Sequence, residues 1–152
     1  MSVLTKFIPS NDDFEMKQYP FYWITRAHNL YVQIMEKQLK KRGINMTAWQ
    51  ICLVLSQRGS LSMTEIADHA AARLPTITKC AYKTQEQGML TIEQSKNDAR
   101  VTMVSLSAKG IEVIDQLMKD TKRLIERAFE DIDPKDLETM NHTIEKIFNN
   151  WD

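Results

Sequence analysis

Between Ser62 and Gly88 the chain is punctuated twice for a helix, and this constrains the fold more than any other feature of the sequence. Ser62-Met63-Thr64-Glu65 has the capping-box pattern, in which a hydroxyl and a carboxylate three residues apart satisfy orphan amide groups at a helix start. Ile66, Ala67 and Ala70 give that helix an apolar side. Pro75 then suits the first turn of a second helix, Ile77, Cys80, Ala81 and Thr84 recur along one side of it, and Gly88 ends it. Two short helices so closely joined predict a helix-turn-helix.

After Gly88 the period changes. Met89–Glu93 and Val101–Leu106 read as two strands, the second alternating Val101, Met103 and Ser105 against Thr102, Val104 and Leu106, with a polar tip at Gln94–Arg100. A hairpin directly after a helix-turn-helix is the winged form. The flanking segments are helical. Pro20 opens a long first helix with Ile24, Ala27, Tyr31, Ile34, Met35 and Leu39 at helical spacing, closed by Lys40-Lys41-Arg42-Gly43. A second is expected from Thr47 as N-cap through Trp49, Cys52, Leu53 and Leu55 to Arg58-Gly59, with Leu61 in a very short strand after it. Residues 1–18 show no clear period and read as an arm with at most a short turn.

Beyond Ser107, apolar or small residues fall at Ile111, Ile114, Met118, Thr121, Ile125, Ala128 and Ile132, and after Asp133-Pro134 at Leu137, Met140, Ile144, Ile147 and Trp151. This three-four alternation needs cover, either from the chain's own winged region or from a second copy. We favour the second copy. The fold class is therefore mainly α with a small β-hairpin wing. It divides into a dimerisation arm and helix over residues 1–46, a winged helix-turn-helix over 47–109, and dimerisation helices over 110–152.

Charge supports that division. The chain is formally neutral with 20 basic and 20 acidic residues, and Gly and Pro are scarce at four each, as a helical fold requires. Up to Lys109 it carries 14 Lys/Arg against 9 Asp/Glu, and from Gly110 onward 6 against 11, so the two parts stand at +5 and −5. A basic binding region beside an acidic helical one is the expectation. The N-terminus lacks a signal-peptide pattern and no apolar run suits a membrane, so a cytoplasmic location is expected.

The stretch Glu65–Gly110 resembles the DNA-binding core of the MarR family. The most specific pieces are Leu74-Pro75-Thr76-Ile77-Thr78-Lys79, Gln87-Gly88-Met89-Leu90, Asp98-Ala99-Arg100 and Leu106-Ser107-Ala108-Lys109-Gly110. The order of elements agrees along nearly the whole chain. The resemblance implies a homodimeric transcription regulator that binds a near-palindromic stretch of double-stranded DNA, and for members that respond to small molecules an aromatic or phenolic carboxylate as effector. It assigns Arg100 the wing contact, with Asp98 orienting it by a charge-assisted hydrogen bond. Arg73 stands where it would lead one to expect a hydroxyl N-cap, and Ala99 where a basic residue is common.

The chemistry of the residues runs parallel. If Ile77, Cys80, Ala81 and Thr84 face the core, Thr76, Thr78, Lys79 and Lys83 face outward or flank it. Thr76, Thr78 and Lys79 are then candidates for base or phosphate contact, with Arg73 and Lys83 beside them. Arg100 or Lys96 suits a narrow, A·T-rich minor groove, where the negative potential is enhanced. Tyr22, Trp23, Arg26 and His28, with Trp49, form a candidate effector set in which Arg26 pairs with a carboxylate and Trp23 stacks on a ring.

Other readings are weaker. Cys52 and Cys80 both fall on apolar helix sides, which suits inert thiols better than redox sensors, although a thiol-responsive regulator stays open. His28, His69 and His142 are widely separated and no Cys/His spacing suggests a metal or another cofactor. No phosphate-binding glycine loop, nucleophile elbow or zinc-protease motif points to an enzyme. A winged-helix module that binds protein instead of DNA is the remaining alternative.

Overall fold

A computed structural model describes residues 3–152. They divide into two compact units, one ending at Lys119 and the other running from Asp120 to Asp152. In the first unit the expected arm carries two single 3-10 turns, Thr5–Phe7 and Met16–Gln18, and leads into helix α1, Pro20–Lys40. Only Met35 and Leu39 of α1 are buried, so most of the apolar spacing read from Ile24 onward stays half-exposed or exposed.

Helix α2 spans Met46–Arg58, and its N-cap is Asn45, not Thr47. The Asn45 carboxamide oxygen accepts from the Ala48 N–H at 2.8 Å, a geometry that fixes the cap one turn ahead of Ala48 and leaves Thr47 inside the helix. Ala48, Trp49, Ile51, Cys52 and Leu55 bury this helix against the rest of the unit.

Helix α3, Met63–His69, begins with the capping box read from the sequence: Ser62 Oγ accepts from the Glu65 N–H at 3.1 Å and Glu65 Oε2 from the Ser62 N–H at 2.7 Å. These bonds hold the Glu65 carboxyl below its ordinary range. The helix ends on Ala71, which takes the left-handed conformation at φ +47°. The Ala72 N–H reaches the Ala67 carbonyl at 3.0 Å and the Ala71 N–H reaches Asp68 at 2.9 Å, so the end closes as a Schellman motif with alanine where glycine is usual. The strain, about 1–2 kcal/mol, is the cost of turning sharply enough to start helix α4, Leu74–Glu86, three residues later.

In α4, Ile77, Ala81 and Thr84 are buried and Thr84 Oγ1 donates to the Cys80 carbonyl at 2.8 Å. Burying Ile77 alone contributes roughly 1.5–3 kcal/mol to docking the helix. Cys80 is only half-buried, in contrast to the inward placement expected of both cysteines, because it lies at the edge of the buried stripe.

The sheet has three strands, not two. Strand β1, Leu61–Ser62, joins the outer edge of the hairpin formed by β2, Leu90–Gln94, and β3, Thr102–Leu106, in the antiparallel order β1-β3-β2. Both hairpin strands begin one residue later than their sequence pattern. Fully buried Val104 faces Leu61 on one side and Ile92 on the other, which explains why so short a β1 is held.

Helix α5, Ala108–Ala128, starts in the first unit and ends in the second. Its start is fastened to the end of α4: the Ser107 N–H donates to the Met89 carbonyl at 2.9 Å, Ser107 Oγ donates to Gly88 at 2.6 Å, and the Gly110 N–H donates back to Ser107 Oγ at 3.0 Å. In the second unit, helix α6, Pro134–Asn149, is capped by Asp133, whose carboxylate accepts from the Lys135 N–H at 2.9 Å. No residue of α6 is buried, and Phe129, Ile132, Met140, Ile144 and Phe148 are all exposed. No helix among the described residues is long and apolar enough to cross a membrane.

Candidate nucleic-acid interface

Helices α3 and α4 form the helix-turn-helix, and the hairpin β2–β3 stands beside them as the wing. On α4 the buried stripe leaves two ridges outside, since residues four apart stack on one helix face. Pro75, Lys79 and Lys83 make one ridge and Leu74, Thr78 and Tyr82 the other. Lys79 and Lys83 are exposed, Thr76 is exposed on the flank, and Thr78 is half-buried. Arg73 occupies the N-cap of α4 with no side-chain cap bond, so its guanidinium is left to the surface. The structure thus leaves Arg73, Thr76, Lys79 and Lys83 exposed and Thr78 half-buried on the parts of α4 outside its buried stripe.

At the wing tip Asp98 and Arg100 form a forked pair. Arg100 Nε donates to Asp98 Oδ1 at 3.2 Å, Nη2 donates to Oδ2 at 3.3 Å, and the Arg100 backbone N–H also reaches Oδ1 at 3.0 Å. These bonds hold the Asp98 carboxyl below its ordinary range. The Arg100 side chain is 91% exposed. A surface ion pair this open adds little to stability; its consequence is a guanidinium held in one orientation. Lys96 is exposed on the same tip.

Between α4 and the wing runs a cleft of about 330 Å³ whose walls include Thr64, Leu74, Thr78, Tyr82, Arg100 and Thr102. Sequence reasoning passed over Thr64, Tyr82 and Thr102. The spacing of Tyr82, four residues after Thr78, was the available signal for one of them. Lys83 also reaches a second cleft, of about 310 Å³, where Lys40, Asn45, Cys80 and Gln87 bring α1, the turn after it and α2 against α4. There the Cys80 thiol donates to Asn45 Oδ1 at 3.7 Å. Burial raises the Cys80 thiol, opposed in part by Thr84 and Lys83, and pushes the Cys52 thiol up to about 12, with Cys80 adding to the shift.

The effector candidates separate. Tyr22, Trp23 and Arg26 come together on α1: the two rings meet edge to face at 5.0 Å, and the Arg26 guanidinium lies 5.2 Å from the Tyr22 centroid and 6.0 Å from that of Trp23. Trp23 Nε1 donates to the Lys17 carbonyl at 2.9 Å. Among the described residues Arg26 meets no carboxylate. His28 stands apart, beside Tyr31 at 6.4 Å. Trp49 is buried in α2, and its indole N–H has no acceptor among the described residues. Among those residues no cluster of His, Cys, Asp or Glu could hold a metal ion.

A helix-turn-helix with basic and hydroxyl side chains along its second helix, followed by a wing presenting a braced arginine, defines a winged helix-turn-helix DNA-binding regulator of transcription. Comparison with known proteins carries this further. No family model matches the chain. The chain is 34% identical over 142 residues to the transcriptional repressor IacR of Pseudomonas putida, covering 93% of this chain and 85% of the relative. A MarR family regulator from Silicibacter pomeroyi superposes with a TM-score of 0.81 at 17% identity, over 89% of this chain and 91% of that one. The structure of NadR in complex with 4-hydroxyphenylacetate superposes at 0.74 and 16% identity, over 82% and 88%. The chain belongs to the MarR family of transcription regulators, proteins that are not enzymes.

Proposed function

We propose that the protein is a homodimeric repressor that grips a near-palindromic operator through α4 and the wing, and that a small aromatic or phenolic carboxylate releases it. Residues 47–109 read the DNA. Arg73, Thr76, Thr78, Lys79 and Lys83 contact bases and phosphates of the major groove, while Arg100, oriented by Asp98, or Lys96 enters the neighbouring minor groove. The single observation that carries the reading is the forked Asp98–Arg100 pair, which orients an almost fully exposed cation at a wing tip where packing has no use for it.

Residues 1–46 and 110–152 supply the dimer contact in this reading. Support comes from α6, a helix with an apolar stripe and no buried residue, which a second copy would cover. The release step rests on Arg26, a guanidinium set against two aromatic rings without an acid of its own. A ring carboxylate would find a stacking surface and a forked cation in one place. The NadR structure holds a ligand of this chemical class.

The test is a fluorescence-anisotropy titration against upstream intergenic DNA and a scrambled duplex at two salt concentrations. Tight binding to the first only, weakening with salt and lost in Lys79→Ala and Arg100→Ala, is expected. Half-sites should lie about 34 Å apart. Aromatic acids are then added; Arg26→Ala should keep its DNA affinity and lose the response. Equal, weak binding to both duplexes would overturn the reading in favour of a protein-binding module.

A further inference from the structure

We infer that the cleft between α4 and the wing is a saddle for the sugar-phosphate backbone of the operator, and that the hydroxyls of Tyr82, Thr64 and Thr102 hold one of its phosphates. This rests on the DNA-reading role proposed above and assigns work to residues outside it.

The argument begins with a geometric necessity. If α4 lies in the major groove and Arg100 in the adjacent minor groove, the strand dividing those grooves must pass between them. The space between them is the cleft. Its lining suits the occupant.

Thr64 at the start of α3, Thr78 and Tyr82 on α4 and Thr102 at the start of β3 all border it, and none of their hydroxyls bonds to another group among the described residues. Four free hydroxyls from three elements thus converge on one cleft, with Arg100 at its edge supplying positive charge. Leu74, 44% exposed, adds an apolar wall against which a deoxyribose can lie. Tyr82 is 46% exposed and touches no other ring, which leaves a large part of its phenol open to an incoming group.

A hydroxyl that donates to a phosphate differs measurably from one that reads a base and from a cation. It carries no sequence information, and being neutral it releases no counterion. Tyr82→Phe should therefore weaken binding about tenfold per half-site, on operator and scrambled duplex alike, with the log–log salt slope unchanged. Arg100→Ala, by contrast, should lower that slope by about 0.9 for each phosphate it has neutralised.

The decisive version uses operator duplexes carrying one neutral methylphosphonate at each position in turn. At one phosphate per half-site the substitution should weaken the wild-type protein about tenfold and Tyr82→Phe by clearly less, because the two changes remove a shared contact. Thr64→Val provides a second variant at the same phosphate, and thermal melting checks that both are folded. Wild-type affinity in Tyr82→Phe, or a loss confined to operator DNA, would overturn the inference while leaving the regulator intact. Failure of the wild-type protein to bind any duplex would overturn both.

Discussion

Gly110→Ala sets two known effects against each other, and the structure decides the sign. Gly110 sits in the first turn of α5, where helix propensity alone favours alanine by about 1 kcal/mol. A methyl group there would overlap the carbonyl oxygen of Met89 and approach the Met89 carbonyl carbon to 3.0 Å and Leu106 Cδ2 to 3.2 Å. The oxygen belongs to the backbone and cannot swing aside. It also accepts the Ser107 N–H, the bond that fastens α5 to the segment leaving α4. Overpacking of this kind costs about 1–3 kcal/mol, and losing two or three bonds around Ser107 adds about 0.5–1.5 kcal/mol each. After the propensity gain the net loss is about 1–6 kcal/mol, and its middle corresponds to a fall in Tm on the order of 10 °C for a chain of this size. Thermal unfolding followed by circular dichroism at fixed protein concentration measures it. An unchanged or raised Tm would refute the reasoning, because it would mean that α5 does not press on Met89.

Asp98→Asn should weaken operator binding without changing Tm, since the pair is exposed. The depressed Asp98 pKa means that its brace on Arg100 is present above the ordinary carboxylate range and is lost only as pH falls through the lower folded value, so the ratio of wild-type to variant affinity should stay flat between roughly pH 5 and 8. Arg73→Ser should move stability and function in opposite directions: a hydroxyl at the empty N-cap of α4 adds about 0.5–2 kcal/mol in a melt, while DNA affinity and its salt slope both fall. Iodoacetamide near pH 8 should label half-buried Cys80 in the native protein before Cys52, whose thiolate at a pKa of about 12 is on the order of one part in ten thousand; intact-mass spectrometry with equal labelling of both would contradict the burial assigned to α2.

The helix-turn-helix was legible because its signals are local. The Ser62–Glu65 capping box, Pro75 and Gly88 act within a turn of where they stand, and the structure repeats them. The Thr47 cap was misread for a related reason: Asn45 and Thr47 both carry cap-forming side chains, and only the bond to Ala48 distinguishes them. Strand β1 was visible as a strand but not as a sheet member, because its pairing with β3 spans some forty residues that no periodicity connects. The same limit explains the candidate site. The Asp98–Arg100 pair was expected from the family resemblance and not from spacing; Thr64, Tyr82 and Thr102 share a cleft only after α3, α4 and the wing have packed.

That division between local and assembled features bears on how release would work. An effector shifts DNA affinity only if it distinguishes two arrangements of the recognition helix, so α4 must be tied to whatever the effector touches. Its C-terminal end is tied twice. Gln87 Nε2 donates to the Gly43 carbonyl at 2.8 Å in the turn after α1, and Lys109 Nζ donates to the Gln87 carbonyl at 2.8 Å from the start of α5. Its N-terminal end has no side-chain cap. With the C-terminal end of α4 fastened to both α1 and α5 and its N-terminus uncapped, a shift of α1 would tilt α4 about Gln87, moving Thr76, Thr78 and Lys79 more than Lys83. The residues that would move most are the ones proposed to read bases, and this makes the weakly capped helix start, costly in stability, consistent with a helix whose orientation has to change.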